Sequence, residues 1–189
     1  EEVDFISSGM PAAQKARHPY GVVPVLAHED VHLIETSAIT TYLDERFPEP
    51  ALRPVSPVAR AQMNGCISVL DHYLWPDIRE LVTQSLFTNL VGGWPDDSIK
   101  ERMVKRLSET LPVLERDFFA RGHLGGDRFT LADVHAAPMI AYLAMTVEGQ
   151  ALLRERATLA TWWDRVKTRS SLVDTEINFQ AYSWARRSD

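Results

Sequence analysis

One cysteine, Cys66, is all the thiol the 189-residue chain holds. An intramolecular disulfide is therefore excluded, and such usage suits a reducing compartment such as the cytoplasm. Positive charge is also scarce: 20 lysines and arginines stand against 26 aspartates and glutamates, a formal net charge of −6. Nucleic-acid and anionic-membrane binders draw affinity from clustered Lys and Arg, so neither partner is expected. Long apolar runs are missing as well. The longest, Val134 to Val147, is flanked by Asp133 and Glu148 and falls short of the roughly 20 residues that cross a bilayer; it reads as a buried helix. There is no G-x-S-x-G elbow, no glycine-rich phosphate loop and no signal-peptide pattern. What remains is 45% hydrophobic and 24% charged, enough for the core of one largish or two small domains.

One short stretch spells a metal motif. His28-Glu29-Asp30-Val31-His32 matches H-E-x-x-H, which binds zinc only on a helix, where the two histidines share a face. Pro24 stands just before it, and no apolar helical face runs through it. Val22 to Leu26 are apolar around Pro24 and read as a strand that proline confines to an edge, a strand start or a turn. Val31 and Leu33 alternate with His32 and Ile34, a period of two that predicts a second strand and leaves residues 27 to 30 as a hairpin loop. His18, His72, His123 and His135 show no partner spacing, so no metal is expected.

Beyond the hairpin the period changes. Ile39, Tyr42, Leu43 and Phe47 recur at helical spacing until Pro48 and Pro50. The stretch P-E-P-A-L-R-P-V-S-P has four prolines and reads as a linker. Everything after it is predicted helical. Residues 58 to about 90 form one long pattern with a kink expected at Trp75-Pro76, and Cys66 within it reads as a small buried side chain. Ile99, Met103, Leu107, Leu111, Leu114 and Phe118 mark a second face. In F-T-L-A-D-V, Thr130 and Asp133 form a capping box, with Phe129 and Val134 as a hydrophobic staple. A final helical pair follows, with Leu159, Trp162 and Val166 at helical spacing, before the tail I-N-F-Q-A-Y-S-W.

The segment E-T-S-A-I opens a helix right after the hairpin. A helix N-terminus offers unpaired N–H groups and partial positive charge, a seat for a carboxylate at residues 35 to 37, while the Glu35 side chain can hold an ammonium. A free amino-acid terminus carries both groups. Glu35 and Thr36 acting only as helix caps is an equal alternative at this point. The interrupted strand leaves the Val23 backbone able to pair with an extended peptide.

H-P-Y-G-V-V-P-V-L followed by L-I-E-T-S-A-I-T-T-Y-L, then F-T-L-A-D-V and L-A-T-W-W-D-R-V-K-T-R, resembles the cytosolic glutathione transferase family, in its bacterial form. The resemblance runs over essentially the whole chain. It implies an α/β thioredoxin-like N-terminal domain over residues 1–50, a linker over 51–57 and an all-α C-terminal helical domain over 58–189. It also implies a cytoplasmic detoxification enzyme, usually a homodimer, that joins the co-substrate glutathione to a hydrophobic electrophile and needs no other cofactor. Carried over by position, the Val23 backbone meets the cysteinyl unit of glutathione, Pro24 is a cis proline, and Glu35 and Thr36 take the γ-glutamyl ammonium and carboxylate. The electrophile is expected against the helix that begins at residue 58.

Departures are few. Val22 stands where the family has Lys or Gln, Thr36 replaces serine, and a basic residue is missing near Met10, for which Lys15 or Arg17 could substitute. The catalytic residue that activates the thiol is expected upstream of Glu1, in a β-α segment of roughly 30 residues. A non-catalytic ligand-binding or interaction module of the same fold is the alternative.

Overall fold

The computed structural model describes residues 10–88, 93–120 and 122–176. The chain divides into two compact units, one holding the residues up to Ala51 and the other Leu52–Thr175. Residues 3 to 6, whose apolar pattern allows a short strand, and the aromatic tail from Ile177 lie outside the described residues.

In the first unit, α1 spans Ala12–Arg17, β1 Val25–His28, β2 Val31–Ile34 and α2 Thr36–Arg46. The first strand starts later than its apolar pattern predicts. Pro24 has no N–H to give a ladder, and pairing begins one residue beyond it, at Val25. Ala27 and His28, expected in the loop, instead pair with His32 and Val31. Only Glu29 and Asp30 are left to reverse the chain, with Glu29 in the left-handed region at φ 53°. Tight two-residue connections use positive φ because it matches the twist of the flanking strands. The H-E-x-x-H stretch is therefore a β-hairpin. His28 Nδ1 lies 2.8 Å from the Tyr42 hydroxyl, and its ring centroid is 5.7 Å from that of Phe47, which ties the hairpin to α2.

The second unit is helical. α3 (Pro57–Val69) runs into a π-helical turn (Leu70–Leu74), then α4 (Trp75–Val82) and a second π turn (Thr83–Phe87). Ser56 caps α3, and Pro57 takes its first position, where a missing N–H costs nothing. The kink expected at Trp75-Pro76 takes the form of the first π turn. A wider turn absorbs the bond that Pro76 cannot make, so the helical path continues. α5 (Asp97–Phe118) is capped by the Asp96 carboxylate and buries Met103, Leu107, Leu111 and Leu114 along one stripe. A short hairpin follows, β3 (Phe119–Ala120) with β4 (His123–Leu124).

α6 (Leu131–Ala144) is buried over most of its length and ends sooner than the apolar run suggests. α7 (Val147–Arg154) turns away from it by 119°. The break is set by Thr146, whose hydroxyl accepts from the Gly149 N–H at 2.9 Å, and by Gly149 itself. A Cβ there would sit 2.0 Å from the Leu143 carbonyl oxygen, so only glycine permits the corner. No single described helix is long and apolar enough to cross a membrane. α8 (Ala157–Val166) and α9 (Ser170–Val173) complete the unit. Cys66 is fully buried in its core, and burial, helped by the Asp133 charge, pushes its thiol up to about 12. It is not a nucleophile at neutral pH.

The capping box holds more than one helix end. The Asp133 carboxylate, itself fully buried, accepts from the Thr130 N–H at 2.8 Å, the Leu124 N–H at 3.0 Å and the Trp162 indole N–H at 2.7 Å. Thr130 in turn accepts from the Ala132 N–H and donates to the Leu124 carbonyl. Thr130→Ala should lower stability by about 1 to 2 kcal/mol and leave ligand affinity unchanged, readable as a shift of the denaturation midpoint.

His123 lies beside this network, its Nδ1 3.9 Å from Asp133 Oδ1. Burial pushes its pKa below the ordinary 6.5, outweighing the pull of Asp133, and Arg165 and Arg169 push the same way. The folded protein thus disfavours the protonated ring. Neutral His123 contributes stability that is complete above the unfolded value of about 6.5 and is lost as pH falls from there through the lower folded value. His123→Gln should flatten the fall in thermal midpoint between about pH 7 and pH 5; an unchanged slope would remove His123 from the account.

Candidate functional site

The site is built by the open end of the hairpin. The last ladder pair is Val25 with Ile34. One residue outward on each strand, beyond the ladder, stand Pro24 and Glu35. The Val23–Pro24 peptide bond is cis, and Val23 is half exposed at 51%. Val22 beside it is 48% exposed, and its carbonyl accepts from the Gln14 side-chain amide at 3.3 Å, which links α1 to this edge.

On the other side of the opening, Glu35 stands at the N-cap of α2 with φ 69° and ψ 125°. A non-glycine residue held there costs on the order of 1 to 3 kcal/mol, and such strain persists where neighbours over-determine it, commonly at ligand clamps. Its side chain makes no cap hydrogen bond. The capping alternative for Glu35 thus lacks the contact it requires, while the exposed carboxylate remains free of a cap role. Ladder geometry on one side and helix geometry on the other together fix this backbone.

The first intrahelical bond runs from the Ile39 N–H to the Glu35 carbonyl. The amides of Thr36, Ser37 and Ala38 precede it, so they have no acceptor within the helix, and all three residues are exposed. No acidic residue occupies the first turn to compete for their partial positive charge. Val23, Pro24, Glu35 and Thr36 are thereby brought to one edge by a hairpin four residues deep. Lys15 and Arg17 are exposed in the last turn of α1.

Two features of this edge escape a reading of the sequence. The positive φ of Glu35 has no signal in the residue type, since glutamate rarely adopts it. The Gln14 contact joins residues eight apart through a side chain that no periodicity marks. Among the described residues, no group of three His, Cys, Asp or Glu could hold a metal ion.

Comparison with known proteins places both units. Residues 1–51 match the family described as glutathione S-transferase, N-terminal domain, and residues 81–170 match glutathione S-transferase, C-terminal domain. Glutathione S-transferase F7 of Arabidopsis thaliana is 30% identical over 157 residues, covering 82% of this chain and 75% of that protein. Glutathione S-transferase 3 of Zea mays is 29% identical over 162 residues, 85% of this chain and 72% of the relative. Glutathione transferase F7 from Populus trichocarpa, a solved structure, superposes with a TM-score of 0.80 at 28% identity, over 91% of this chain and 82% of its own. These relatives are plant proteins, and they give no preference for the bacterial form. The fold is a thioredoxin-like N-terminal domain with a helical C-terminal domain. With both parts matched in order along the chain, and a relative this similar over most of its length, the protein belongs to the glutathione S-transferase family.

Proposed function

We propose that this chain catalyses the attack of the glutathione thiolate on a hydrophobic electrophile. The observation that carries the reading is the open hairpin end, where Val23-Pro24 precedes the first ladder residue and Glu35-Thr36 follows the last, at a helix start whose amides have no acceptor within the helix. That edge suits a ligand with an extended peptide backbone and a free amino-acid terminus. Val23 pairs with the cysteinyl backbone through its own N–H and C=O. The Glu35 carboxylate holds the γ-glutamyl ammonium, and the Thr36 hydroxyl with the first-turn amides holds the carboxylate. Lys15 or Arg17 meets the glycyl carboxylate.

A free thiol has a pKa of about 8.5, so it must be lowered by roughly two for most of it to be thiolate at neutral pH. Lowering needs hydrogen-bond donors or positive charge at the sulfur. Cys66 takes no part, being sealed in the helical core. We further propose that residues 1–50 form the glutathione-binding domain, 51–57 the linker and 58–189 the electrophile-facing domain, and that the protein works as a cytoplasmic homodimer in detoxification. Family membership supports these statements.

Titration with glutathione by calorimetry, followed by turnover of a chromogenic aryl halide, tests the reading. Saturable binding with turnover is the expected result. No binding at millimolar glutathione would overturn it, and binding without turnover of any electrophile would favour the non-catalytic module. Light scattering on the eluted peak tests the dimer.

A further inference from the structure

From the end of α1 at Arg17 to the first ladder residue, Val25, the chain runs from His18 to Pro24 outside any helix or strand. Val23, whose backbone pairs with a peptide ligand at the hairpin edge, belongs to this stretch. A backbone pairs well with a ligand only if it is already held in place, since ordering it on binding costs affinity. Among the described residues, what holds it is a turn and two side chains. The Gly21 N–H donates to the His18 carbonyl at 2.9 Å, closing a β-turn with proline second and glycine fourth, the residues such turns prefer. Gln14 reaches the Val22 carbonyl from α1. The third bond lies inside the turn: the Tyr20 N–H donates to His18 Nδ1 at 3.2 Å.

His18 differs from its surroundings in burial. It is 1% exposed, whereas Arg17, Pro19 and Tyr20 are exposed, and no other described residue before Ile39 is buried. A buried ring has to satisfy its nitrogens. Because an N–H meets Nδ1, that nitrogen carries a lone pair, and the ring is the neutral form with its hydrogen on Nε2. The side chain is thus an anchored acceptor, packed at its base and bonded to the turn at its edge. Tyr20 is 81% exposed, so water has access to this turn, and breaking the bond strands no buried donor. What is lost with the acceptor is the position of the chain that leads into Val23.

We propose that His18 is a positioning residue for glutathione: its buried imidazole holds the turn at residues 18–21 from within and thereby sets the Val23 backbone for an extended peptide. The role presupposes that glutathione binds at the hairpin edge, and it acts on binding rather than on the chemical step.

Variants of the whole protein test it, by calorimetric titration with glutathione beside steady-state turnover of a chromogenic aryl halide and a melt. His18→Leu keeps apolar bulk and removes the acceptor. Its Kd and KM for glutathione should rise about tenfold, the size of one lost hydrogen bond. Its kcat at saturating glutathione should stay within about twofold of wild type, the pattern of lost uniform binding. His18→Asn should bring the Kd back to the wild-type range, since its Oδ1 lies as many bonds from Cα as Nδ1 does. His18→Gln should not, because its oxygen reaches the place of Nε2 instead. Packing alone makes no such distinction between the two amides. Equal Kd values for the Asn and Gln variants, or an unchanged Kd in His18→Leu, would overturn the proposal. If the leucine variant does not fold, Asn against Gln decides. A wild type that binds no glutathione would overturn the reading of the edge itself, whereas tight wild-type binding with no effect of these variants removes His18 alone.

Discussion

Asp133→Ala is expected to remove about 3 to 9 kcal/mol of stability, because it strands three buried donors at once and each lost partner costs about 1 to 3 kcal/mol. The donors belong to separate parts of the helical unit: the Leu124 N–H in β4, the Thr130 N–H at the cap of α6 and the Trp162 indole N–H in α8. Water cannot replace the carboxylate, since Asp133, Thr130 and Leu124 are fully buried and Trp162 is 1% exposed. Natural domains hold only about 5 to 15 kcal/mol in total, so the variant should melt far below wild type. Asp133→Asn should fall between the two, as its amide keeps one acceptor oxygen but turns an N–H₂ toward a donor. Thermal and urea melts of the three proteins check this ordering. If Asp133→Ala melts within a few degrees of wild type, the network is not what holds α6 and α8 together. Glutathione affinity of the folded fraction should be preserved in every case, since no atom of the hairpin edge is changed.

Glu35→Gly should behave in the opposite way, losing ligand and keeping stability. Removing a charge-assisted contact to an ammonium costs about 1.5 to 3 kcal/mol, roughly a 10- to 150-fold rise in the Kd for glutathione. On stability, glycine relieves the positive φ of 69° but gives up backbone entropy and a favourable charge near a helix N-terminus. These terms nearly cancel, leaving a change within about 1 kcal/mol. Glu35→Gln separates charge from shape: it should lose most of the affinity while retaining the strained backbone. The cap reading makes the reverse prediction, lower stability with unchanged affinity. Calorimetric titration beside a melt on the same samples decides between them.

How much of this was legible in the sequence depends on the range of the interaction. Helix faces such as Met103, Leu107, Leu111 and Leu114 follow from a 3.6-residue period that every turn repeats. The capping box was legible because both partners lie within four residues of each other. The hairpin was also readable, though its ends were not. Apolar character extends back to Val22, whereas pairing depends on a backbone N–H that Pro24 lacks and on a turn only two residues long. The corner between α6 and α7 was hidden for a similar reason: composition is apolar on both sides, and the break is made by one hydroxyl and one close backbone approach.

The sequence by itself determined the strand-turn-strand-helix order of the first unit, the burial of Cys66, the choice of hairpin over zinc helix and the set Val23, Pro24, Glu35 and Thr36 as residues to watch. All of these rest on local periodicity, proline chemistry or motifs a few residues long. Only the tertiary structure decided that Glu35 carries a positive φ with no cap bond and that Asp133 serves β4 and α8 as well as its own helix. Each of those depends on which distant atoms come within about 3 to 4 Å. A linear pattern does not encode such distances; packing settles them when the whole unit closes.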